Sequence, residues 1–153
     1  MENREILYGA VVRQIRRFIA ATIFFNQKVA DRVGLHLTDM QCLNLLELTG
    51  PATPGELARQ MALTTGGVTV MLDRLEKKGY VKREPNPLDR RSLLVSVLSR
   101  KFEKLDSLYA EINRSFGEVL HDTPEQDLKA VIAFFERCAE VRRQVPLGKA
   151  SRG

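Results

Sequence analysis

Two cysteines, two histidines and the lack of any long apolar run leave this chain few ways to be an enzyme, a metalloprotein or a membrane protein. Cys42 and Cys138 have neither the spacing of a zinc motif nor the number that makes a disulfide framework. Both fall in apolar helical patterns, where a thiol is expected as a buried small hydrophobe. His36 and His121 are too few and too scattered for a metal site or a general base. The pair Gly66-Gly67 follows no strand pattern and lacks the lysine of a phosphate-binding loop. No catalytic residue, metal ligand or cofactor is therefore assigned. The longest near-apolar run, Phe18 to Phe25, is eight residues, against the roughly 20 needed to cross a bilayer. Met1 to Arg4 includes an acid, and no secretory cleavage pattern follows. A cytoplasmic protein with no membrane partner is expected.

What the chain does have is size for one domain with an appended helical layer: 153 residues, 44% hydrophobic and 28% charged, as in ordinary globular proteins. Its net charge of +5 is modest, but the excess is concentrated. Between Pro54 and Arg100 there are nine Lys or Arg against five acids, so the basic surplus falls on one segment, as nucleic-acid binding would require.

That segment, Thr53 to Ser99, reads as helix, turn, helix and two-stranded ribbon. Thr53-Pro54-Gly55-Glu56 is a capping box with proline at the first helical position. After a turn at Met61 to Leu63, Thr64 or Thr65 caps a second helix. Val68, Leu72 and Leu75 fall on one face of it, and Gly66, Thr69, Val70, Asp73 and Lys77 on another. Gly79 stands where a left-handed residue ends a helix, and Tyr80 to Glu84 begins a strand. Pro85, Pro87 and Asp89 make Pro85 to Arg91 a turn, and Leu93 to Leu98 returns as the second strand. The exposed glycine pair costs about 1 kcal/mol per residue relative to alanine. Either close approach of a partner or tight packing against the preceding helix would account for it.

The run Leu63-Thr64-Thr65-Gly66-Gly67-Val68-Thr69-Val70-Met71-Leu72-Asp73-Arg74-Leu75-Glu76-Lys77-Lys78-Gly79-Tyr80-Val81, followed by Asp89-Arg90-Arg91, resembles the MarR family of bacterial transcriptional regulators. The resemblance implies a mainly α fold with a small β-ribbon, a winged helix-turn-helix carrying N- and C-terminal dimerisation helices. It implies a homodimer bound to double-stranded DNA at an inverted-repeat operator, acting as a repressor, the commoner family role, and released by a small, possibly aromatic effector. Thr64 and Thr65 would then reach phosphate oxygens, Thr69 a base or phosphate, Val70 a thymine methyl, and Arg74 and Lys77 the phosphates. By the family's wing pattern Asp89 holds Arg91 as it enters the minor groove, and Arg90 meets the backbone. Many members carry polar or arginine side chains where this chain has Gly66, Gly67 and Val70, so base readout by side chains is expected to be sparse. Phe24, Phe25, Met40 and Tyr109 are the candidate effector residues, although core packing is the commoner role of each.

The flanking helices carry more apolar surface than one winged domain needs. Residues 4 to about 33 form one stripe through Val11, Ile15, Phe18, Phe25, Val29 and Val33, and thirty residues of helix span about 45 Å. A capping box at Thr38-Asp39-Met40-Gln41 opens the next helix, which Gly50-Pro51 stops. After the ribbon, Phe102, Leu105, Tyr109, Ile112, Phe116 and Val119 form a heptad-like seam. A third box, Thr123-Pro124-Glu125-Gln126, opens the last helix, with Leu128, Val131, Phe135 and Cys138 inward. The expected division is an N-terminal dimerisation helix over 1–37, the DNA-binding domain over 38–99, dimerisation helices over 100–145 and a flexible tail over 146–153. Two alternatives stand beside this reading: a thiol-based redox-sensing regulator, and a winged-helix protein-interaction module that does not bind DNA.

Overall fold

The computed structural model of the chain describes residues 2–144, so the tail expected over 146–153 and the side chain of Phe102 lie outside the described residues. Eight elements follow one another: α1 (Glu2–Val33), α2 (Leu37–Thr49), α3 (Pro54–Met61), α4 (Thr65–Lys77), β1 (Val81–Pro85), β2 (Leu93–Val97), α5 (Ser99–His121) and α6 (Glu125–Gln144). The mainly helical architecture with one small ribbon is the one expected. Two compact units result, Met1–Leu108 and Tyr109–Gly153, with the division inside α5.

In the first unit the core forms where α2, α3, α4 and the ribbon converge. Leu43, Leu57, Val68, Leu72, Leu75, Val81 and Val95 are almost wholly removed from water, each contributing about 2 kcal/mol of hydrophobic stabilisation. The C-terminal end of α1 joins them through Val29 and Ala30, and Leu35 follows. Packing therefore places the end of α1 with the winged elements.

Local chemistry sets the element ends. Thr53 accepts from the Glu56 amide at 3.3 Å, and the Glu56 carboxylate accepts the Thr53 amide at 2.7 Å, which completes the first capping box. Thr64, not Thr65, caps α4, accepting from the Gly67 amide at 3.1 Å. Gly79 has φ 73°, the left-handed value expected of it.

The other two boxes differ from expectation. The α2 helix starts at Leu37 with His36 as its cap, and Asp39 accepts the His36 amide at 2.8 Å. Asp39 thus serves as the reaching-back carboxylate, and the box lies two positions earlier than the expected one with a Thr38 cap and Gln41. Ahead of α6, the Thr123 hydroxyl donates back to Val119 O at 2.7 Å. The first turn closes instead on Pro124 O, which accepts from Asp127 and Leu128.

The ribbon pairs Val81 with Val97, Arg83 with Val95 and Pro85 with Leu93 in antiparallel register. On its other side Val95 bridges to Ala52, exchanging hydrogen bonds of 2.9 and 3.1 Å. The middle of β2 is thereby held from both sides.

Apolar surface remains open on the long helices. Ile6, Leu7, Phe18 and Ile19 of α1 are about half exposed or more, and in the second unit so are Val119, Ile132 and Phe135. Cys138 is exposed as well, contrary to its expected burial, because it shares the uncovered apolar face of α6. Cys42 is buried as expected.

Candidate nucleic-acid interface

One face of α4 is turned inward and the other stands out. Val68, Met71, Leu72 and Leu75 are buried, while Thr64, Thr65, Gly66, Gly67, Thr69, Val70, Asp73 and Lys77 are exposed. Val70, an apolar side chain, is 62% exposed. The helix N-terminus is therefore presented to solvent with its cap oxygen already paired and its dipole positive end outward. The Thr69 hydroxyl donates to Thr65 O at 3.0 Å, which leaves its oxygen lone pairs to accept.

The glycine pair is not explained by packing against α3. A Cβ on Gly66 would meet nothing within 4 Å, and one on Gly67 would approach only the Thr64 cap oxygen, at 3.2 Å. Gly67 keeps room for the cap. Gly66 faces open space.

At the ribbon tip, Asp89, Arg90 and Arg91 are exposed. Asn86 ties the loop together: its side chain accepts from the Leu88 amide at 3.0 Å and donates to Ser92 Oγ at 2.9 Å. Asp89 Oδ1 accepts the main-chain amide of Arg91 at 3.0 Å. The aspartate thus fixes the backbone from which the Arg91 side chain projects.

Arg74 has a different role from the phosphate contact expected. Its Nε donates to Asp39 Oδ2 at 2.9 Å and its Nη2 to Asp39 Oδ1 at 2.6 Å. Asp39 is fully buried and the Arg74 side chain is only 27% exposed, so this two-pronged pair belongs to the interior. The hydrogen bonds it donates to Asp39 raise the already high pKa of the Arg74 guanidinium. Lys78 Nζ donates to Gly34 O just below. Two side chains from the end of α4 thus anchor the α1–α2 turn.

Arg83, which the sequence reading passed over, lies on β1 and reaches back to α4. Its Nη1 meets Glu76 Oε2 and its Nη2 meets Asp73 Oδ1, both at 2.6 Å. The neighbouring Lys82 pairs with Glu84 at 2.8 Å. With Arg74, Lys82 and Arg83 engaged in ion pairs, Lys77, Arg90 and Arg91 are the exposed cations left on the outer helix face and the ribbon tip.

The candidate effector residues differ in burial and in the unit that carries them. Met40 is buried in the core of α2, Phe24 is 69% exposed, Phe25 is half-buried, and Tyr109 belongs to the second unit. The first unit instead has a cleft of about 470 Å³ lined by Arg32, Val33, Tyr80, Lys101, Leu105, Ser107 and Leu108. Lys101 Nζ lies 5.5 Å from the Tyr80 ring centroid and donates to Lys78 O at 2.7 Å. Burial pushes the Tyr80 hydroxyl pKa up, so the phenol stays protonated. Cys42 is a poor nucleophile: burial first, then the Asp39 charge, push its thiol up to about 12. Among the described residues no cluster could hold a metal ion, and no helix is long and apolar enough to cross a membrane.

Comparison with known proteins agrees with this geometry. The sequence pattern of the MarR family matches residues 35–93. An HTH-type transcriptional regulator of Bacillus subtilis, YcgE, is 32% identical over 142 residues, covering 93% of this chain and 92% of that one. Among solved structures, a MarR transcriptional regulator from Methanosarcina mazei Go1 superposes with a TM-score of 0.64 at 19% identity, over 90% of this chain and 99% of that one. Overoxidised AbfR bound to DNA does so with a TM-score of 0.52 at 21% identity, over 92% and 98%. Those two likenesses concern the fold. A capped outward helix, a basic ribbon tip and a relative matched almost end to end lead to one conclusion: the chain belongs to the MarR family of DNA-binding transcriptional regulators.

Proposed function

We propose that this regulator is a homodimeric repressor that lays α4 in the major groove of an inverted-repeat operator and Arg91 in the flanking minor groove. The observation that carries the reading is the pairing of an exposed, capped α4 N-terminus with a tip whose backbone Asp89 fixes under Arg91. Thr64, Thr65 and Thr69 supply hydroxyls for phosphate or base, and Gly66 allows close backbone approach. Val70 meets a thymine methyl, and Lys77 and Arg90 meet phosphates. The DNA-bound state of AbfR supports the same use of the fold.

Two copies are needed because the α1 and α6 faces are apolar and open in one chain. The half-sites would be centred about 10 bp apart, one helical turn. Sedimentation at micromolar concentration is expected to give a dimer, and a lone 17.3 kDa species would sink the proposal. Selection of bound duplexes from random DNA should return an inverted repeat. On such a duplex Arg91→Ala should weaken binding, lower the salt slope by about one and relax preference for A·T pairs outside the major-groove contact.

The effector reading rests on the cleft, where Arg32 and Lys101 supply positive charge beside Tyr80, Leu105 and Leu108. An aromatic carboxylate or phenolate suits that lining. Titration of such compounds against the protein–duplex complex tests it, with Lys101→Met expected to blunt release. Release unaffected by the substitution would place the effector elsewhere.

A further inference from the structure

The recognition helix and the wing are usually pictured as separate readers, yet here one side chain joins them. Arg83 sits on β1, beyond the turn at Gly79 that separates the strand from α4. Its two terminal nitrogens take carboxylates one helical turn apart, Asp73 and Glu76, each at 2.6 Å, and its own amide donates to Glu76 Oε1 at 3.2 Å. An exposed single ion pair would contribute little. This one is a fork shared by two acids, with the guanidinium side chain only 18% exposed, and its planar geometry fixes direction as well as distance.

Asp73 adds a second consideration. It lies on the exposed side of α4, within one turn of both Val70 and Lys77, so an uncompensated carboxylate there would face the phosphates. Arg83 screens it from the strand side. The same fork sets the angle at which β1 leaves α4, and β1 carries the chain to the loop from which Arg91 projects.

We propose that Arg83 is a positioning residue that makes the helix and the wing engage DNA as one rigid unit. The proposal rests on the DNA-reading assignment of Arg91 given above. Without the fork, the wing tip would still be charged but no longer aimed, so Arg91 would lose most of its effect while α4 kept its own contacts.

The test is a double-mutant cycle on the duplex that the wild-type protein selects from random DNA. In the wild-type background Arg91→Ala should weaken binding about tenfold. In an Arg83→Gln background it should weaken binding by no more than about threefold, a coupling of the size seen between linked residues. Glu76→Gln approaches the fork from the other side, in case Arg83→Gln folds poorly. It should also shrink the Arg91 effect, even though removing an acid near phosphate by itself favours binding. Arg83→Lys keeps the charge without the fork and should not restore the coupling. Equal losses from Arg91→Ala in all backgrounds would overturn the positioning role while leaving the wing contact intact. Full coupling in Arg83→Lys would overturn the role of the fork geometry. No loss from Arg91→Ala in the wild type would overturn the wing contact itself, and this proposal with it.

Discussion

Replacing Arg74 by methionine tests the interior of the winged unit directly. The substitution keeps the length of the stem and removes the guanidinium, leaving Asp39, fully buried, with only the His36 amide on Oδ2. A buried carboxylate stripped of its charge partner costs about 3–5 kcal/mol. Because Arg74 is 27% exposed, water would reach part of the vacated site, and the lower end, about 3 kcal/mol, is expected. For a chain of this length that lowers the melting temperature by roughly 6–12 °C. Asp39→Leu combined with Arg74→Met removes both charges and should recover a large part of the loss, since an apolar pair of similar volume often equals a buried ion pair. Urea unfolding of wild type, both single variants and the double variant, at one fixed protein concentration, measures the cycle. A loss under about 1 kcal/mol for Arg74→Met, the value of an exposed pair, would refute the reasoning. So would a double variant no more stable than the worse single one.

Three further outcomes follow from the local chemistry. With its thiol pushed up to about 12, Cys42 should resist iodoacetamide in the native protein at neutral pH and react only once urea unfolds the chain; native-state modification, read by mass spectrometry, would restore the redox-sensor reading for that residue. Gly66→Ala should stabilise the fold by up to about 1 kcal/mol, since its Cβ meets nothing, and at the same time weaken duplex binding; unchanged binding would remove the close-approach role. Thr53→Ala should cost about 1 kcal/mol of unfolding free energy, read by urea denaturation. The Thr53 hydrogen bonds lower the Glu56 pKa, so that stabilisation is present above the ordinary carboxylate range and lost as the pH falls through the lowered value. The difference between Thr53→Ala and wild type should therefore narrow on acidification, and a constant difference would argue against the box.

The sequence made the local features legible and hid the distant ones. Thr53 and Gly79 announce their roles within four residues, because capping and left-handed turns are short-range chemistry, although the equally local boxes expected at Thr38 and Thr123 did not form. The two Asp39–Arg74 hydrogen bonds join positions 35 apart in sequence, and a basic residue near a recognition helix reads as a phosphate contact until its partner is placed. The Arg83 fork was within reach: two acids a turn apart, followed by an arginine on the next strand, is a local pattern, but its direction depends on the turn at Gly79. The apolar excess of α1 and α6 was visible as periodicity. Which of those residues stay open and which join the chain's own core is decided by packing, as half-buried Ile15 and half-exposed Phe18 on one stripe illustrate. Met40 shows the converse, an apolar residue assigned to a ligand that the core of α2 had already claimed.

The bridge from Ala52 to Val95 makes the ribbon a cantilever. It is held on both edges at Val95, midway along β2, and its free end is the short loop organised by Asn86 and Ser92. Beyond Val95 only the pairing of Glu84 with Leu94 and Pro85 with Leu93 carries load applied at the tip back to that anchor. A tip exchanged for that of another regulator, or lengthened by a residue or two, would bend from the same anchor and leave the folding of the module untouched. Changes in operator preference could thus accumulate in the loop, independently of the core that holds it out.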